Sequence, residues 1–491
     1  MLLERFFISS IQILTNPETL LLSVIGVSLG IVLGAIPGIS STMTLAILLP
    51  VSFYLDQNSA MVFLMAVFSS SVFGGSISAI LLNIPGTPGA IVTQIDGFPL
   101  AKKGKGGYAL AYALFASSVG GLVGLLILML LAPVIIKSAM NFRSPEFTAA
   151  ALFGLAMLAY STPGSTYRGI VIGVLGVILG MVGFDNMTDM LRFDFRTEFL
   201  QNGINLVPLS IGLFGMSEIL KNIETSKDTE KIPNIGNIFP PFSSVIKTWK
   251  SIFRGSIFGV LIGAIPAAGS AIAVAISYAQ EVKLAKDKSE FGKGDIRGIV
   301  APESANNACV GGALIPMMTL GIPGDTMTAV LMASLLIHGL QPGPFLFQNN
   351  PEFVSVIYAS LFIAITLTLL LGFFLIRFIV KALNAPTTII NFTIIVLCLT
   401  GSFAIRNLIS DVYIMLFFGV LGYLFYKINL PTAPLAFGLI LGPVLEENLR
   451  RSLIISRGSW LIFLERPISL CLVAITLVVL LLPLVKFKNR Q

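Results

Sequence analysis

The chain has 491 residues, of which 55% are hydrophobic and only 11% are charged, whereas a soluble domain carries about 25% charged residues. Its mean hydropathy is +0.92. These values exclude an ordinary soluble protein and predict an all-α integral membrane protein, because helices satisfy their own backbone hydrogen bonds in lipid. We attribute the net charge of +7 to cytoplasmic loops rich in Lys and Arg, and we expect membrane lipid, and no nucleic acid, as a partner.

Residues 1–15 contain one Arg and lack a small-residue cleavage site, so we interpret them as a short interfacial helix and not as a removed signal peptide. Apolar runs follow that are long enough, or nearly so, to cross a hydrocarbon core of about 30 Å. They lie at 20–36, 108–136, 169–183, 203–220, 353–380, 387–400, 412–425 and 468–485. Together with proline-broken segments, they predict roughly ten to thirteen membrane segments.

Two apolar stretches occur twice, in the same order. GVSLGIVLGAIPGISSTMTLAILL (26–49) aligns with GSIFGVLIGAIPAAGSAIAVAISY (255–278), and GGSISAILLNIPGTPGA (74–90) aligns with GGALIPMMTLGIPGDTMTA (311–329). This order predicts a duplicated unit. Because proline removes a backbone donor and clashes with the preceding turn, all four stretches are predicted to be re-entrant hairpins or broken helices.

The duplication divides the chain into two repeats joined by a polar segment without an apolar period. The predicted divisions are a first repeat at 1–220 (hairpin and broken helix 26–95, scaffold helices 108–220), a linker at 221–250 and a second repeat at 251–491 (hairpin and broken helix 255–345, scaffold helices 353–485).

The loops of the two copies differ in basic charge. In the first copy, loop 52–60 between the two elements has no Lys or Arg, whereas loop 102–105 after the second element has three lysines. In the second copy, loop 281–297 is rich in Lys, whereas loop 338–352 has neither Lys nor Arg. Because basic loops stay in the cytoplasm, this pattern predicts inverted-topology repeats, which are typical of secondary transporters.

A helix that ends inside the membrane leaves amides or carbonyls without intrahelical partners. Free amides at an N-terminal end suit a carboxylate, and free carbonyls suit a cation. We therefore predict a carboxylate substrate site at the four breaks, although close helix packing through small residues is an alternative role for each glycine. The predicted substrate-binding residues are Pro37, Gly38, Ser40, Ser41, Asn83, Pro85, Gly86, Thr87, Pro266, Gly269, Ser270, Pro323 and Gly324.

Acidic residues are few in the apolar segments, where a charge is costly. Asp325 directly follows a Pro-Gly pair and is the leading candidate to bind a coupling cation, Na⁺ or H⁺; an N-cap is the alternative, and both roles can hold together. Glu303 either lines the cavity or caps a helix at the interface. The predicted cation-site residues are Asp325, Thr326, Thr319, Asn306 and Glu303. Na⁺ is the one metal considered, as a coupling ion.

The sequence contains no nucleotide-binding P-loop and no Cys/His spacing for a metal, so we expect no enzyme and no cofactor. A G-x-S-x-G string at 26–30 lies in an apolar run, without the strand-turn-helix context of a nucleophile elbow. Three alternatives to a transporter remain: a channel or other membrane protein that passes small anions without a binding protein, an intramembrane enzyme, and a non-transporting scaffold.

Long stretches of the chain resemble a known family. GAIPGISSTMTLAILLP, GGSISAILLNIPGTPGAIVTQIDGFPLAKKGKGGYAL and LILGPVLEENLRRSLIISRG are similar to the large membrane subunit of the tripartite tricarboxylate transporters, over nearly the whole length. The resemblance implies a multi-pass secondary transporter of the elevator type in the bacterial inner (plasma) membrane. It also implies two partners, a small four-helix membrane subunit and a periplasmic solute-binding protein, and a di- or tricarboxylate taken up with a cation.

The third break departs from the family pattern. The family usually has Pro-Gly at this position, whereas this chain has Pro266-Ala267-Ala268-Gly269. The turn would then move to Gly269. The resemblance does not identify the solute, because family members take different ones.

Overall fold

The computed structural model describes residues 2–161, 166–185, 187–225, 235–240, 242–382 and 387–488. Over these residues the chain is almost entirely helical, with one two-stranded ribbon. Six helical stretches are long and apolar enough to cross a membrane: Pro17–Ala35, Gln57–Leu82, Thr93–Ala139, Leu206–Glu224, Pro351–Lys381 and Ile409–Lys427. The prediction of an all-α, multi-pass membrane protein is confirmed.

Eight helices precede the ribbon. They are α1 (Leu2–Thr15), α2 (Pro17–Ala35), α3 (Ser41–Leu48), α4 (Gln57–Leu82), α5 (Thr93–Leu100), α6 (Gly106–Ala139), α7 (Ser144–Ser161) and α8 (Thr166–Gly180). Helix α2 begins where the Glu18 amide donates to the Asn16 side chain at 2.9 Å, with Pro17 at the first helical position, where its missing N–H costs nothing. It ends before Pro37, as the proline predicts.

A short antiparallel ribbon and a helix with a π-helical segment in its middle follow. The elements are β1 (Gly183–Phe184), β2 (Leu191–Arg192), α9 (Glu198–Gln201), α10 (Leu206–Ser210) and α11 (Ser217–Thr225). The Asp185 carboxylate, in the ribbon turn, accepts hydrogen bonds from the Thr188 hydroxyl at 2.6 Å and from Arg450 at 2.7 Å. These two donors lower the pKa of Asp185 well below its usual value. The ribbon is therefore held to the helical body by an ion pair.

Twelve helices form the described part of the second half. They are α12 (Phe242–Ile246), α13 (Trp249–Gly263), α14 (Gly269–Leu284), α15 (Arg297–Leu320), α16 (Thr326–Ile337), α17 (Pro344–Asn349), α18 (Pro351–Ala382), α19 (Thr387–Ala404), α20 (Ile409–Lys427), α21 (Ala433–Ile455), α22 (Ile462–Glu465) and α23 (Pro467–Lys488). The second copy of the duplicated sequence forms α13 to α16, as the first copy forms α2 to α5. Each copy is interrupted at its Pro-Gly or Pro-Ala positions.

Helices α2 and α4 pack through glycines, and α13 and α15 pack through glycines at the aligned positions. A methyl group on Gly34 would lie 2.5 Å from the Ser71 carbonyl oxygen, and one on Gly263 would lie 2.7 Å from the Cys309 carbonyl oxygen. Gly34 aligns with Gly263, and Ser71 aligns with Cys309. The aligned sequences therefore form the same kind of close helix pair.

The helix that follows each copy packs against the other copy. Helix α6 packs against α13 and α15, whereas α18 packs against α2 and α4. The contact of α6 is close, because a methyl group on Gly120 would lie 2.3 Å from the Ser304 carbonyl oxygen. Helix α1 also packs against α18, with the rings of Phe6 and Phe362 5.7 Å apart. The two halves are therefore interleaved.

The loops of the two copies meet in crossed pairs. Gln57, between the two elements of the first copy, donates from Nε2 to the carbonyl of His338, which follows the second element of the second copy, at 2.6 Å. Lys103, which follows the second element of the first copy, donates to the carbonyl of Lys293, between the elements of the second copy, at 2.7 Å. In both contacts, the loop between the two elements of one copy meets the loop that follows the second element of the other copy.

Asp96 anchors the second of these contacts. Its side chain is buried, and its Oδ1 accepts hydrogen bonds from the amides of Gly292, Gly294 and Asp295 at 2.8, 2.9 and 2.9 Å. The Tyr278 hydroxyl donates to Oδ2 at 2.9 Å. A buried carboxylate needs such donors, so this cluster fixes the lysine-rich loops of the two copies together.

Four helices lie where the sequence predicted either no span or a linker. Helices α7 and α21 lie outside the predicted apolar runs. The second half of α21 carries four charged residues, among them Glu446 and Arg450, and these interrupt its apolar sequence. Helix α11 continues to Thr225, past the predicted linker start, and α12 lies inside the predicted linker. Ion pairs with neighbouring elements, such as the one between Arg450 and Asp185, stabilise the charged residues of α21. A search for apolar runs alone does not detect a helix that carries such residues.

Candidate functional site

Each of the four predicted breaks separates two helical segments. The first break lies between α2 and α3, the second between α4 and a short 3-10 turn at Pro88–Ala90, the third between α13 and α14, and the fourth between α15 and α16. The chain is therefore interrupted at all four predicted breaks, whereas Pro133, Pro316 and Pro443 lie inside helices.

Residues with positive φ form the turns of these breaks. Gly38 (φ 84°) and Ala267 (φ 61°) occupy aligned positions in the first and third breaks, and Asn83 (φ 58°) and Gly321 (φ 70°) end α4 and α15. Gly269 also has positive φ, 72°, which confirms a turn there. The prediction that the turn moves to Gly269 is incomplete, because Ala267 takes the left-handed conformation as well, at a steric cost.

All four breaks line one cavity of about 500 Å³. The break residues that line it are 40–42, 87–88, 267, 269–271 and 325–327, joined by Asn306 of α15. The rest of the lining comes from α4, α7, the segment before and within α11, α20 and the segment that leads into and begins α21. It includes Ser217, Glu218, Lys221, Tyr426 and Phe437. The tertiary structure thus gathers segments that are nearly 300 residues apart in sequence.

The breaks present helix N-termini to the cavity. The first turns of α3, α14 and α16 all lie in its lining. Ser40 caps α3 with a neutral hydroxyl that accepts from the Met43 amide at 3.1 Å, whereas α14 has no side-chain cap. Because first-turn amides lack intrahelical partners and carry partial positive charge, α14 in particular offers the cavity donors for an anion.

Three buried polar atoms in this lining have no hydrogen-bond partner among the described residues. They are Ser41 Oγ, Thr87 Oγ1 and Asn306 Nδ2. An unpartnered buried polar group costs about 1–3 kcal/mol. Three of them around one space indicate a site that is completed by water or by a polar ligand.

Contacts between the breaks hold the cavity together. The hydroxyls of Thr42 and Thr326, from the first and fourth breaks, lie 2.7 Å apart. The Ala267 amide donates to the carbonyl of Gly324 at 2.7 Å, which joins the third break to the fourth. A methyl group on Gly89, just past the second break, would lie 1.9 Å from the Asn306 side-chain oxygen and 2.7 Å from the hydroxyl oxygen of Ser270 in the third break. Each break is therefore in contact with an element of the other copy.

Five of the predicted substrate-binding residues line the cavity: Ser40, Ser41, Thr87, Gly269 and Ser270. The other eight form the turns around it without lining it: Pro37, Gly38, Asn83, Pro85, Gly86, Pro266, Pro323 and Gly324. Asn83 is exposed and ends α4, and the Gly38 carbonyl oxygen accepts a hydrogen bond from the Asn222 side-chain nitrogen at 2.7 Å. Substrate contact by these residues stays a prediction.

Three of the five predicted cation-site residues, Asp325, Thr326 and Asn306, line the same cavity. Asp325 is also the N-cap of α16, which was the alternative role predicted for it. Its Oδ1 accepts a hydrogen bond from the Thr328 amide at 2.8 Å, and the Thr328 hydroxyl accepts one from the Asp325 amide at 2.8 Å. The Thr319 hydroxyl donates to the Ile315 carbonyl in its own helix at 2.7 Å and lies outside the lining.

Glu303 takes neither of the two positions considered for it. It lies in the middle of α15, is 0% exposed and does not line the cavity. Its carboxylate accepts hydrogen bonds from the hydroxyls of Ser76, Thr93 and Ser117, at 2.7, 2.5 and 2.8 Å. These hydroxyls come from α4, α5 and α6, so the carboxylate joins four helices. The two options were wrong because helix ends alone cannot reveal donors more than 180 residues away.

Glu218, Lys221 and Tyr426 also line the cavity, although the sequence did not predict them as site residues. Lys221 was assigned to a linker because it follows the apolar run 203–220, but α11 continues through it. A charged pair at the end of an apolar run is the signal that could have found them. Among the described residues, no group of three or more His, Cys, Asp and Glu side chains could hold a metal.

Comparison with known proteins gives the family. A model of the Tripartite tricarboxylate transporter TctA family matches residues 20–437. An uncharacterized 52.8 kDa protein in the TAR-I ttuC' 3'region of Agrobacterium vitis is 36% identical over 480 residues, covering 97% of this chain and 96% of that protein.

A second protein of the same organism, an uncharacterized protein in the TAR-II ttuC' 3'region, is 38% identical over 236 residues, covering 48% of this chain and 98% of that protein. No solved structure matches. The family match covers the four breaks and most of the helices around the cavity. This chain therefore belongs to the tripartite tricarboxylate transporter TctA family.

Proposed function

We propose that this protein is the large transmembrane subunit of a cation-coupled, binding-protein-dependent secondary transporter, which takes up organic carboxylates of the di- or tricarboxylate class across the bacterial inner membrane. The observation that carries the proposal is the cavity at the four breaks, with three buried polar atoms that have no partner among the described residues. Membership in the TctA family supports transport over the alternatives.

The uncapped N-terminus of α14 is the proposed contact for a substrate carboxylate. Ser270 lies in its first turn, and Ser41 and Thr87 lie in the same cavity. First-turn amides and hydroxyls bind a carboxylate without a fixed positive charge, because the helix dipole and the directed N–H groups supply the attraction. Neutral donors also let the empty cavity remain stable, since no uncompensated charge is left behind.

The coupling cation, Na⁺ or H⁺, is proposed to bind near Asp325, Thr326 and Asn306. Asp325 supplies the negative charge, and its cap hydrogen bonds hold the carboxylate at the start of α16. Hydroxyl and amide oxygens beside a carboxylate are the ligands that hard cations prefer. Anion and cation would then share one cavity, so that each favours the binding of the other through its charge.

The proposed movement is of the elevator type, in a protein with two inverted-topology repeats. Inversion is supported by the crossed loop contacts: Gln57 with His338 at one end, and Lys103 with Lys293 at the other. If equivalent loops lie on opposite sides of the membrane, both contacts follow from a two-fold axis in the membrane plane. The predicted boundaries of repeats, linker and scaffold belong to the same proposal.

Two partners complete the proposed transporter. The name of the matched family, Tripartite tricarboxylate transporter, denotes three components. We assign the other two to a small four-helix membrane subunit and a periplasmic solute-binding protein that delivers the carboxylate.

The test is uptake by proteoliposomes that contain the three components. We expect saturable carboxylate uptake that requires the binding protein and a Na⁺ or proton gradient. Because each lost hydrogen bond to a charged ligand costs about 1.5–3 kcal/mol, the double variant Ser41→Ala with Thr87→Val should raise KM by about ten-fold or more. Ser402→Ala is the matched control, since its hydroxyl is also buried without a described partner but lies on α19, outside the cavity.

Three results would overturn the proposal. Uptake that does not saturate and needs no binding protein would favour a channel. Uptake that is unaffected by collapse of both ion gradients would remove cation coupling. Equal KM values for the double cavity variant and the Ser402→Ala control would remove the cavity as the substrate site.

A further inference from the structure

The cavity lining has an uneven distribution of charge. Among the described residues that line it, the charged side chains are Glu218, Lys221 and Asp325. A carboxylate solute would therefore enter a space that already holds two acidic groups. Lys221 is the one cationic side chain in this lining that can offset the added negative charge.

Lys221 is fixed at the edge of the cavity by two neighbours. Its ammonium nitrogen lies 3.0 Å from the Glu218 carboxylate and 4.9 Å from the centre of the Tyr426 ring. Its side chain is 33% exposed, so a solute can reach the ammonium. The aromatic face favours a cation at this position, and the Glu218 carboxylate is a counter-charge for the ammonium when the cavity holds no anion.

The position of Lys221 differs from that of the helix breaks. It belongs to α11, which contributes to the lining with Ser217 and Glu218, whereas the breaks contribute residues 40–42, 87–88 and 269–271. A solute with one carboxylate needs only one of these two parts of the lining. A solute with two carboxylates would use both, because the two parts line the same cavity of about 500 Å³.

We infer that Lys221 is the specificity-determining residue for a second carboxylate on the solute. The inference rests on the proposed function. One carboxylate binds at the α14 N-terminus and Ser270. The other binds the Lys221 ammonium and replaces Glu218 as its partner. Glu218 pairs with Lys221 again when the solute leaves, so that the Lys221 ammonium always has a counter-charge in the partly dehydrated cavity.

The experiment compares a dicarboxylate, succinate, with a monocarboxylate of equal chain length, butyrate. Proteoliposomes with all three components take up labelled succinate, glutarate or citrate, and unlabelled butyrate serves as the four-carbon monocarboxylate competitor of succinate. We expect Lys221→Gln to raise KM for the di- or tricarboxylate by about ten- to a hundred-fold, the loss of one charge-assisted hydrogen bond. Inhibition by butyrate should stay unchanged, and Lys221→Arg should restore most of the affinity.

Lys427→Gln is the matched control. Lys427 also pairs with a glutamate of α11, Glu224, and lies beside a tyrosine ring, but it does not line the cavity. Its KM should equal that of the unchanged protein, and equal amounts of each variant in the vesicles exclude a folding defect. If Lys221→Gln and Lys427→Gln give the same KM values, or if unlabelled butyrate inhibits succinate uptake by the unchanged protein as well as unlabelled succinate does, the inference is overturned. If the unchanged protein takes up none of the carboxylates, the proposed function itself fails.

Discussion

At the scale of single residues, the aligned pair Gly38 and Ala267 shows how one substitution between the two copies is accommodated. Both residues have positive φ, 84° and 61°, and an alanine in this conformation costs about 1–2 kcal/mol because its Cβ approaches the following carbonyl. The Ala267 amide donates to the Gly324 carbonyl, which holds the residue in place. The third break therefore keeps its turn without the usual glycine.

Ala267→Gly should remove this strain. We expect the free energy of unfolding to rise by up to about 1 kcal/mol, because glycine adopts positive φ without a steric cost while losing more backbone entropy on folding. Thermal unfolding of the purified protein in detergent, followed by size exclusion, measures the change. A Tm for Ala267→Gly below that of the unchanged protein would contradict the assigned conformation.

Gly38→Ala is the reciprocal change. Its new methyl group would lie 2.6 Å from the side-chain nitrogen of Asn222, and it would also carry the cost of positive φ. The same unfolding measurement should show a loss of about 1–3 kcal/mol. A neutral result would mean that the first break does not form the turn described.

At the scale of helices, two glycine-lined pairs, α2 with α4 and α13 with α15, form the frame that holds the breaks. Glycine lets two helices approach until backbone meets backbone, which brings dispersion contacts that larger residues prevent. The frame is needed because hydrophobic burial supplies little attraction between helices in lipid. The breaks then lie at the ends of rigid pairs, which fixes the shape of the cavity.

Gly34→Ala and Gly263→Ala should each destabilise the protein by about 1–3 kcal/mol, the usual cost of overpacking. The new methyl group would lie 2.5 Å from the Ser71 oxygen in one case and 2.7 Å from the Cys309 oxygen in the other, and backbone atoms cannot move aside as side-chain ends can. Thermal unfolding in detergent is the measurement.

Gly173→Ala, on α8, is the control for these two changes. Its methyl group would meet no atom nearer than 3.9 Å, from Pro434, and alanine favours a helix over glycine by up to about 1 kcal/mol. The control should therefore be as stable as the unchanged protein or more so. Equal stability of all three variants would show that the two pairs are less close than described.

At the scale of the whole molecule, the two copies are interleaved and not placed side by side. Helix α6 packs against the second copy and α18 packs against the first, while Asp96 of the first copy anchors the lysine-rich loop of the second through three amides. Each break consequently faces a residue of the other copy. The cavity belongs to both copies and would not exist in either one alone.

Labelling of single cysteines in intact cells tests the orientation. In a Cys471→Ser background, where the two other cysteines are buried, we expect Lys103→Cys and Lys293→Cys to react only from the cytoplasmic side with a reagent that cannot cross the membrane. Asn58→Cys and Gln341→Cys should react from the opposite side. These four positions are exposed, and basic loops remain in the cytoplasm.

Two labelling patterns would contradict the inverted arrangement. In one, residues 58 and 103 react from the same side. In the other, residues 103 and 293 react from different sides, although the structure joins them by a hydrogen bond. Either pattern would require a different path for one of the copies.

Several features of the candidate site were predictable because local chemistry determines them. Pro37, Pro85, Pro266 and Pro323 mark the four breaks, since proline removes a backbone donor and clashes with the preceding turn. An N-cap was the alternative role predicted for Asp325, from its place just before an apolar helix, and the structure has it there. The carboxylate cage of Glu303 could not be predicted, because its donors lie at least 186 residues away.

The sequence by itself determined the membrane class, the duplication and the position of every break, because hydropathy, period and proline act over a few residues. Only the tertiary structure decided that the breaks share one cavity, that Glu303 lies outside it and that Lys221 lies in its lining. The physical reason is that these relations depend on contacts between distant segments, such as Thr42 with Thr326. Such contacts are settled by close helix packing and by the need to pair buried polar groups, and neither leaves a local pattern in the chain.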